Sequence, residues 1–157
     1  MSPAPASVTR IVEGVRAYLL GRARLALGLW LGAALAGALA LAWCTERARG
    51  TIDIDVNLLM PEDQHQSAID ALPAEVKVTR EDLRILRRDG QVRLWWNKTP
   101  VDLFFNSTEF HNGILDRIRW ETFGGQSVPF LSCYDLAVFK AFFNRTRDWA
   151  DLEDMYS

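Results

Sequence analysis

The spacing of apolar positions changes several times along the chain, and each change marks an element. From Val8 to Arg24, Ile11, Val15, Tyr18 and Leu19 recur at helical spacing, with Arg10, Glu13 and Arg16 elsewhere. Further on the period drops to two: Ile52, Ile54, Val56 and Leu58 share one face of a strand, and Asp53, Asp55 and Asn57 share the other. Pro61 and the acids after it open a helix through EDQHQSAIDAL. Thr79 caps a second, TREDLRILRR, which stops at Asp89-Gly90. VRLWW and VDLFF then alternate as two strands joined by the turn NKTP at Asn97 to Pro100. A second hairpin runs through RIRWETF, Gly124-Gly125 and SVPFL. Ser132 with Asp135 three residues on is a capping box that opens the apolar helix CYDLAVFKAFFNR. The chain closes on RDWADLEDMY, with Trp149, Leu152 and Met155 spaced for one face. Strands and helices thus interleave, with antiparallel hairpins among them, and the expected fold class is α/β (α+β), a mixed sheet flanked by helices. Residues 1–7 (MSPAPAS) read as a disordered tail and 8–157 as a single domain.

One stretch supports two readings. Leu25 to Cys44 holds 20 consecutive residues without a charge, long enough to span a bilayer, and Gly28 and Gly32 form a small-xxx-small pair. Seven of the twenty are alanine and three are glycine, which weakens the transfer free energy, and the flanking GRAR and TERAR set no orientation. The other reading divides the run into a buried strand near Leu29 to Leu35, a glycine turn at Gly37 and a short helix through Leu39, Leu41 and Trp43. That reading makes the protein soluble, with no membrane partner, and a membrane-anchored domain is its alternative.

Composition narrows the function classes. With 157 residues, 49% of them hydrophobic, the chain can bury a core of ordinary size. A formal net charge of -2 argues against an electrostatically driven nucleic-acid binder. Arg80, Arg84, Arg87, Arg88, Arg93 and Lys98 still make a local basic stretch, read as a solvated helix face. Cys44 and Cys133 lie far apart in apolar contexts and outside any metal-spaced cluster. They read as free thiols, which points to a cytoplasmic location. Trp95 and Trp96 face opposite ways in a strand, so at least one belongs to the core, although an aromatic face could also stack on a base.

Three acids stand on strands among apolar neighbours: Asp53, Asp55 and, in PVDLFF, Asp102. A carboxylate so placed needs a cation, a hydrogen-bond donor or a metal, because isolated buried charge costs many kcal/mol. Taken alone, D-x-D in a strand reads as an exposed edge or a set of salt bridges. With a third acid from a neighbouring strand, the set becomes an oxygen-rich site for Mg²⁺ or Mn²⁺ of the kind used on phosphate substrates. Lys140 is the second oddity, since Leu136, Phe139 and Phe143 share its helix face. Either it snorkels outward or it faces an anion. The charged run after it, with Arg145, Arg147, Asp148 and Asp151, could be a solvated helix start.

In chain order these features resemble the nucleotidyltransferase superfamily of the polymerase-beta type, and within it the small AbiEii-like bacterial nucleotidyltransferases. The resemblance runs from about Gly37 to Asp154. It rests on a glycine turn and helix before a T-x-D-I-D strand (AGALALAWCTERARGTIDID), on TPVDLFF, and on the closing LSCYDLAVFKAFFNRTRDWADLEDM. It implies that Asp53, Asp55 and Asp102 are metal ligands and catalytic. It further implies that Gly37, Ala38, Thr51 and Lys140 bind the nucleotide, with Arg147, Asp148 and Asp151 in support. The activity implied is Mg²⁺-dependent transfer of a nucleoside monophosphate from a nucleoside triphosphate to an acceptor hydroxyl, on a protein, an RNA or a small molecule. A catalytically inactive binding module on the same fold is the alternative. The turn reads Ala36-Gly37-Ala38, where family enzymes carry Gly-Gly or Gly-Ser, so no serine hydroxyl is available there.

Overall fold

The computed structural model describes residues 33–47, 51–106, 108–123 and 126–157. The expected helix at Val8 to Arg24, the tail at 1–7, residues 25–32 and the glycine pair 124–125 lie outside them. Strand β1 (Ala33–Leu35) leads into helix α1 (Gly37–Thr45), and β2 (Ile54–Leu58) follows. A 3-10 turn (Glu62–Gln64) precedes α2 (His65–Asp70). Next come α3 (Arg80–Asp89), β3 (Gln91–Trp96) and β4 (Thr99–Phe105). Two 3-10 turns (Glu109–Gly113, Leu115–Arg117) lead to β5 (Arg119–Phe123) and β6 (Gln126–Phe130). Helices α4 (Cys133–Phe143) and α5 (Thr146–Tyr156) close the described chain.

The six strands among the described residues form one mixed sheet in the order β3-β4-β2-β1-β6-β5. Hairpins supply the antiparallel pairs β3/β4 and β5/β6, and β1/β2 is antiparallel as well. The crossovers make β2/β4 and β1/β6 parallel. Period-two alternation then sorts the side chains of the central strands. Ile54 and Leu58 of β2 pair with Val101 and Phe105 of β4, and Val92 and Leu94 of β3 pair with Leu103 and Val101. All are buried in the principal core with Leu39, Ala40 and Leu41 of α1, Ile69 of α2 and Leu86 of α3. A smaller cluster of Ala34, Ala36, Leu59, Ile114 and Leu131 is covered by Phe110, Ile118 and Phe139.

Local signals hold where they are strong. Thr79 caps α3 with a reciprocal capping box to Asp82, and Gly90 ends that helix in the left-handed region at φ 68°. Ser132 caps α4 by accepting from the Asp135 amide, while the Asp135 carboxylate turns to the Ser132 hydroxyl and to the Arg117 guanidinium. The described part of the apolar run, from Ala33 onward, is a strand, a turn at Ala36-Gly37 and a helix. Among the described residues no helix is long and apolar enough to cross a membrane, and α1 has only nine residues.

Three expectations are corrected. Cys44 and Cys133 are not free: they form a disulfide joining the last turn of α1 to the first of α4 across 89 residues of sequence. The Cα atoms stand 5.5 Å apart because the two helices meet beside β1 and β6, which spacing in the chain does not reveal. The free-thiol argument for a reducing compartment loses its premise. Helix α5 does not bury Trp149 as its spacing suggests, although Met155 packs against the principal core. Trp149 is exposed and donates to the Asn144 side chain, whereas Asp148 and Asp151 point inward. The β3–β4 turn consists of Asn97 and Lys98 alone, with Asn97 at φ 54°, and Thr99 and Pro100 belong to β4.

Candidate active site

Asp55 and Asp102 lie on the sheet face opposite the principal core, whereas Asp53, expected on the same strand as Asp55, stands in the bend that leads into β2. The parallel register of β2 with β4 sets Asp55 directly beside Asp102, and the antiparallel register of β4 with β3 sets Asp102 beside Arg93. One row thus crosses three strands as Arg93, Asp102, Asp55. It ends at β1, where the Ala36 amide donates to the Asp55 carbonyl at 2.9 Å. Gly37 comes next and opens α1. Its φ of +57° favours glycine, and a β-carbon on it would overlap the Asp55 carboxylate. The glycine turn and the second aspartate are therefore in direct apposition.

Each carboxylate has its own setting. Asp53 accepts from the Thr51 hydroxyl at 2.5 Å, so Thr51, itself buried, orients the acid through its side chain. Asp102 is gripped by Arg93 in a two-pronged bond, Nε to Oδ1 at 2.7 Å and Nη2 to Oδ2 at 2.6 Å. The same Arg93 Nη2 lies 3.5 Å from Asp53 Oδ2. Asp55 is half-buried, and burial first, then the neighbouring charges of Asp53 and Asp102, push its pKa from 3.8 up to about 6 against the opposing pull of Arg145 and Arg93. The Asp102 carboxylate in turn raises the pKa of Arg93 above its ordinary value.

The closing segment meets this face at the junction of α4 and α5. Lys140 does not snorkel: it is buried, with Nζ 2.6 Å from Asp151 and 3.6 Å from Asp148. Asp148 also accepts from the Arg145 side chain at 2.6 and 3.1 Å and from its backbone amide at 3.2 Å. Burial tends to raise the Asp148 pKa, but the bonds from Arg145 outweigh it and the net shift is downward. The Arg145 guanidinium lies 5.3 Å over the ring of Phe143, which meets Phe104 at 6.3 Å between centroids. Phe104 is two residues beyond Asp102 on the same face of β4. Arg147 is exposed on the first turn of α5.

Of the residues singled out in the sequence, Gly37, Asp55 and Asp102 are brought together, with Asp53 linked to them through Arg93. Lys140, Asp148 and Asp151 form a separate buried ionic cluster between α4 and α5 whose outward member is Arg145. Two functional side chains were read only as solvated charge: Arg93 and Arg145. The alternation of VRLWW places Arg93 away from the core positions, but its pairing with Asp102 depends on the two-residue turn and not on the expected four-residue one.

The donor set fits a hard divalent cation in its chemistry. All three groups are carboxylates, and the charges of Asp53 and Asp102 add to burial in raising the Asp55 pKa. Its present geometry is more open. Among the described residues no three Asp, Glu, His or Cys side chains are grouped closely enough to hold one ion, and the guanidinium of Arg93 stands between Asp102 and Asp53.

No protein-family model matches the chain, and no curated protein does. Solved structures do match. The crystal structure of the lincosamide antibiotic adenylyltransferase LnuA with lincomycin bound is similar over 80% of this chain and 85% of that one, with a TM-score of 0.51 and 15% identity. The solution structure of the antibiotic-resistance factor ANT(2'')-Ia is similar over 94% and 83%, with a TM-score of 0.59 and 12% identity. At such identities the likeness is one of fold. The chain has the nucleotidyltransferase fold, a six-stranded mixed sheet flanked by helices.

Proposed function

We propose that the protein is a nucleotidyltransferase of the small AbiEii-like kind, which moves a nucleoside monophosphate from a nucleoside triphosphate to an acceptor hydroxyl. The observation that carries this reading is the apposition of Asp55, paired in register with Asp102, to the left-handed glycine that opens α1. That arrangement sets an acidic patch suited to cations against a helix N-terminus suited to phosphate. Asp53, Asp55 and Asp102 would hold Mg²⁺ or Mn²⁺, which when bound would offset charge on the phosphates and lower the pKa of the acceptor hydroxyl.

The remaining roles belong to the chain's own groups. At the start of α1 the amides of Gly37 and Ala38 are among those a helix leaves without intrahelical partners, and they can donate to phosphate oxygens. The absent side chain of Gly37 lets an anion approach the backbone beside Asp55. Thr51 holds Asp53 in orientation. Asp102 is assigned to take the proton of the acceptor hydroxyl. The cation for the leaving phosphates is better assigned to Arg145 than to Lys140, because Lys140 is spent on Asp151 and Asp148 inside the fold. Lys140 is then a positioning residue that acts on Arg145 through Asp148. The acceptor is a protein, an RNA or a small molecule, and the adenylyltransferase named for a lincosamide antibiotic is a fold neighbour of the last kind.

The test is to incubate the full chain with Mg²⁺, each of the four α-³²P nucleoside triphosphates in turn, and a cell lysate, and then to identify what is labelled. Transfer with the wild type and none with Asp53→Asn or Asp55→Asn is expected. Absence of labelling, together with a melting temperature unmoved by Mg²⁺ and every nucleotide, would refute the reading.

A further inference from the structure

We propose that Arg93 is a built-in counter-cation of the acidic row, one that competes with the divalent metal for Asp102 and is handed to the triphosphate when the metal enters. The inference rests on the metal and nucleotide reading above and deepens it. A guanidinium fork matched to both oxygens of a carboxylate is the strongest grip a protein cation can take on that group. Here it occupies both oxygens of Asp102 at 2.6 and 2.7 Å. The same nitrogen that binds Asp102 Oδ2 reaches within 3.5 Å of Asp53, so one positive charge bridges two of the three acids. An ion ligated by Asp102 is left only the lone pairs that the fork does not use, and it meets the positive charge of the guanidinium beside them, so metal and arginine oppose each other at this carboxylate.

The place of Arg93 in the fold makes such an exchange feasible. It stands on β3, the edge strand, and its side chain is 53% exposed whereas that of Asp102 is 15% exposed. The arginine can swing into solvent while the aspartate stays. Released from Asp102, the guanidinium remains anchored one strand away from the acids, with donors geometrically suited to phosphate oxygens. Metal and nucleotide would then bind cooperatively, since the metal frees the arginine and the triphosphate takes it up.

Two substitutions and two titrations test this. The full chain is titrated with MnCl₂ by calorimetry, with and without α,β-methylene-ATP, for the wild type, Arg93→Gln, Asp102→Asn and the double variant. Arg93→Gln is expected to bind Mn²⁺ alone about tenfold more tightly than the wild type, and to lose most of the tightening that the nucleotide analogue produces in the wild type. The gain should vanish in the Asp102→Asn background. Arg93→Lys, which keeps the charge without the fork, should fall between wild type and Arg93→Gln, and it serves as the sole comparison if Arg93→Gln does not fold. Mn²⁺ binding by the wild type with no gain in the Arg93 variants overturns the inference alone. So does a gain that persists without Asp102. If neither wild type nor any Arg93 variant binds Mn²⁺, the metal reading beneath it falls as well.

Discussion

Removing the charge of Asp55 should make the metal-free protein more stable at neutral pH. Asp55 is partly out of water and stands among other acids, and its pKa is about 6 in the fold against 3.8 for an ordinary aspartate. A difference of about two pH units corresponds to about 3 kcal/mol at ~1.4 kcal/mol each. Since the group is only half-buried, solvent screening reduces this to an expected gain of about 1–3 kcal/mol for Asp55→Asn at pH 7. The sign follows from proton linkage. The folded state holds the proton more tightly than the unfolded one, so wild type is free of the penalty below pH 3.8 and acquires it as pH rises through about 6. The asparagine variant lacks this slope. Its advantage should be largest at pH 7, fall by about half at pH 5 and vanish below pH 4. Urea unfolding of both proteins in chelator at pH 7 and pH 5 measures the difference directly, with contributions of all other carboxylates cancelling between variants. An asparagine variant less stable than wild type at pH 7, or a difference that does not change with pH, would show that Asp55 is a satisfied structural ion-pair partner and would refute the reasoning.

Gly37→Ala should lose more than about 2 kcal/mol, from its left-handed φ and from overlap with the Asp55 carboxylate, and much of the loss should disappear in an Asp55→Ala background, which a double-mutant cycle in urea would read. Lys140→Met leaves Asp148 and Asp151 buried without their ammonium partner, and a loss of about 3–5 kcal/mol is expected by urea unfolding; a change below 1 kcal/mol would show that the cluster does not depend on it. Reducing the Cys44–Cys133 bond, or replacing both with serine, should lower stability by about 4–5 kcal/mol because the bond closes a loop of 89 residues. Melts with and without reductant check this, and identical midpoints would refute the link.

Much of the fold was legible because the signals that specify it are local. Thr79 and Gly90 bound a helix through capping and a left-handed residue, and Ile54 and Leu58 share the core face of β2 because the period of a strand is two; the strand starts later than its alternation suggests, leaving Ile52 exposed and Asp53 in the bend before it. The same parity places Arg93 and Asp102 away from the core face of their strands. The row in which they meet depends on the turn. A four-residue turn over Asn97–Pro100 would have set Arg93 against Phe104, and the two-residue turn sets it against Asp102. Short loops leave such register choices to the pairing of whole strands.

Longer-range facts were not in the local pattern at all. That Asp102 stands beside Asp55 follows from β2 and β4 pairing in parallel across the intervening α2, α3 and β3. That Cys44 meets Cys133 follows from two helices ending at one place. Asp148 and Asp151 turn inward beside Met155 while Trp149 is left exposed, because Lys140 on α4 offers a buried cation that no reading of α5 alone could supply. By itself the sequence determined which residues carry charge, the alternation that turns Arg93, Asp55 and Asp102 away from the core, and the capped starts of the helices after Thr79 and Ser132. Tertiary structure decided which charges neutralise one another, because ion pairing depends on distances set by strand order and helix docking, and those distances are not functions of separation along the chain.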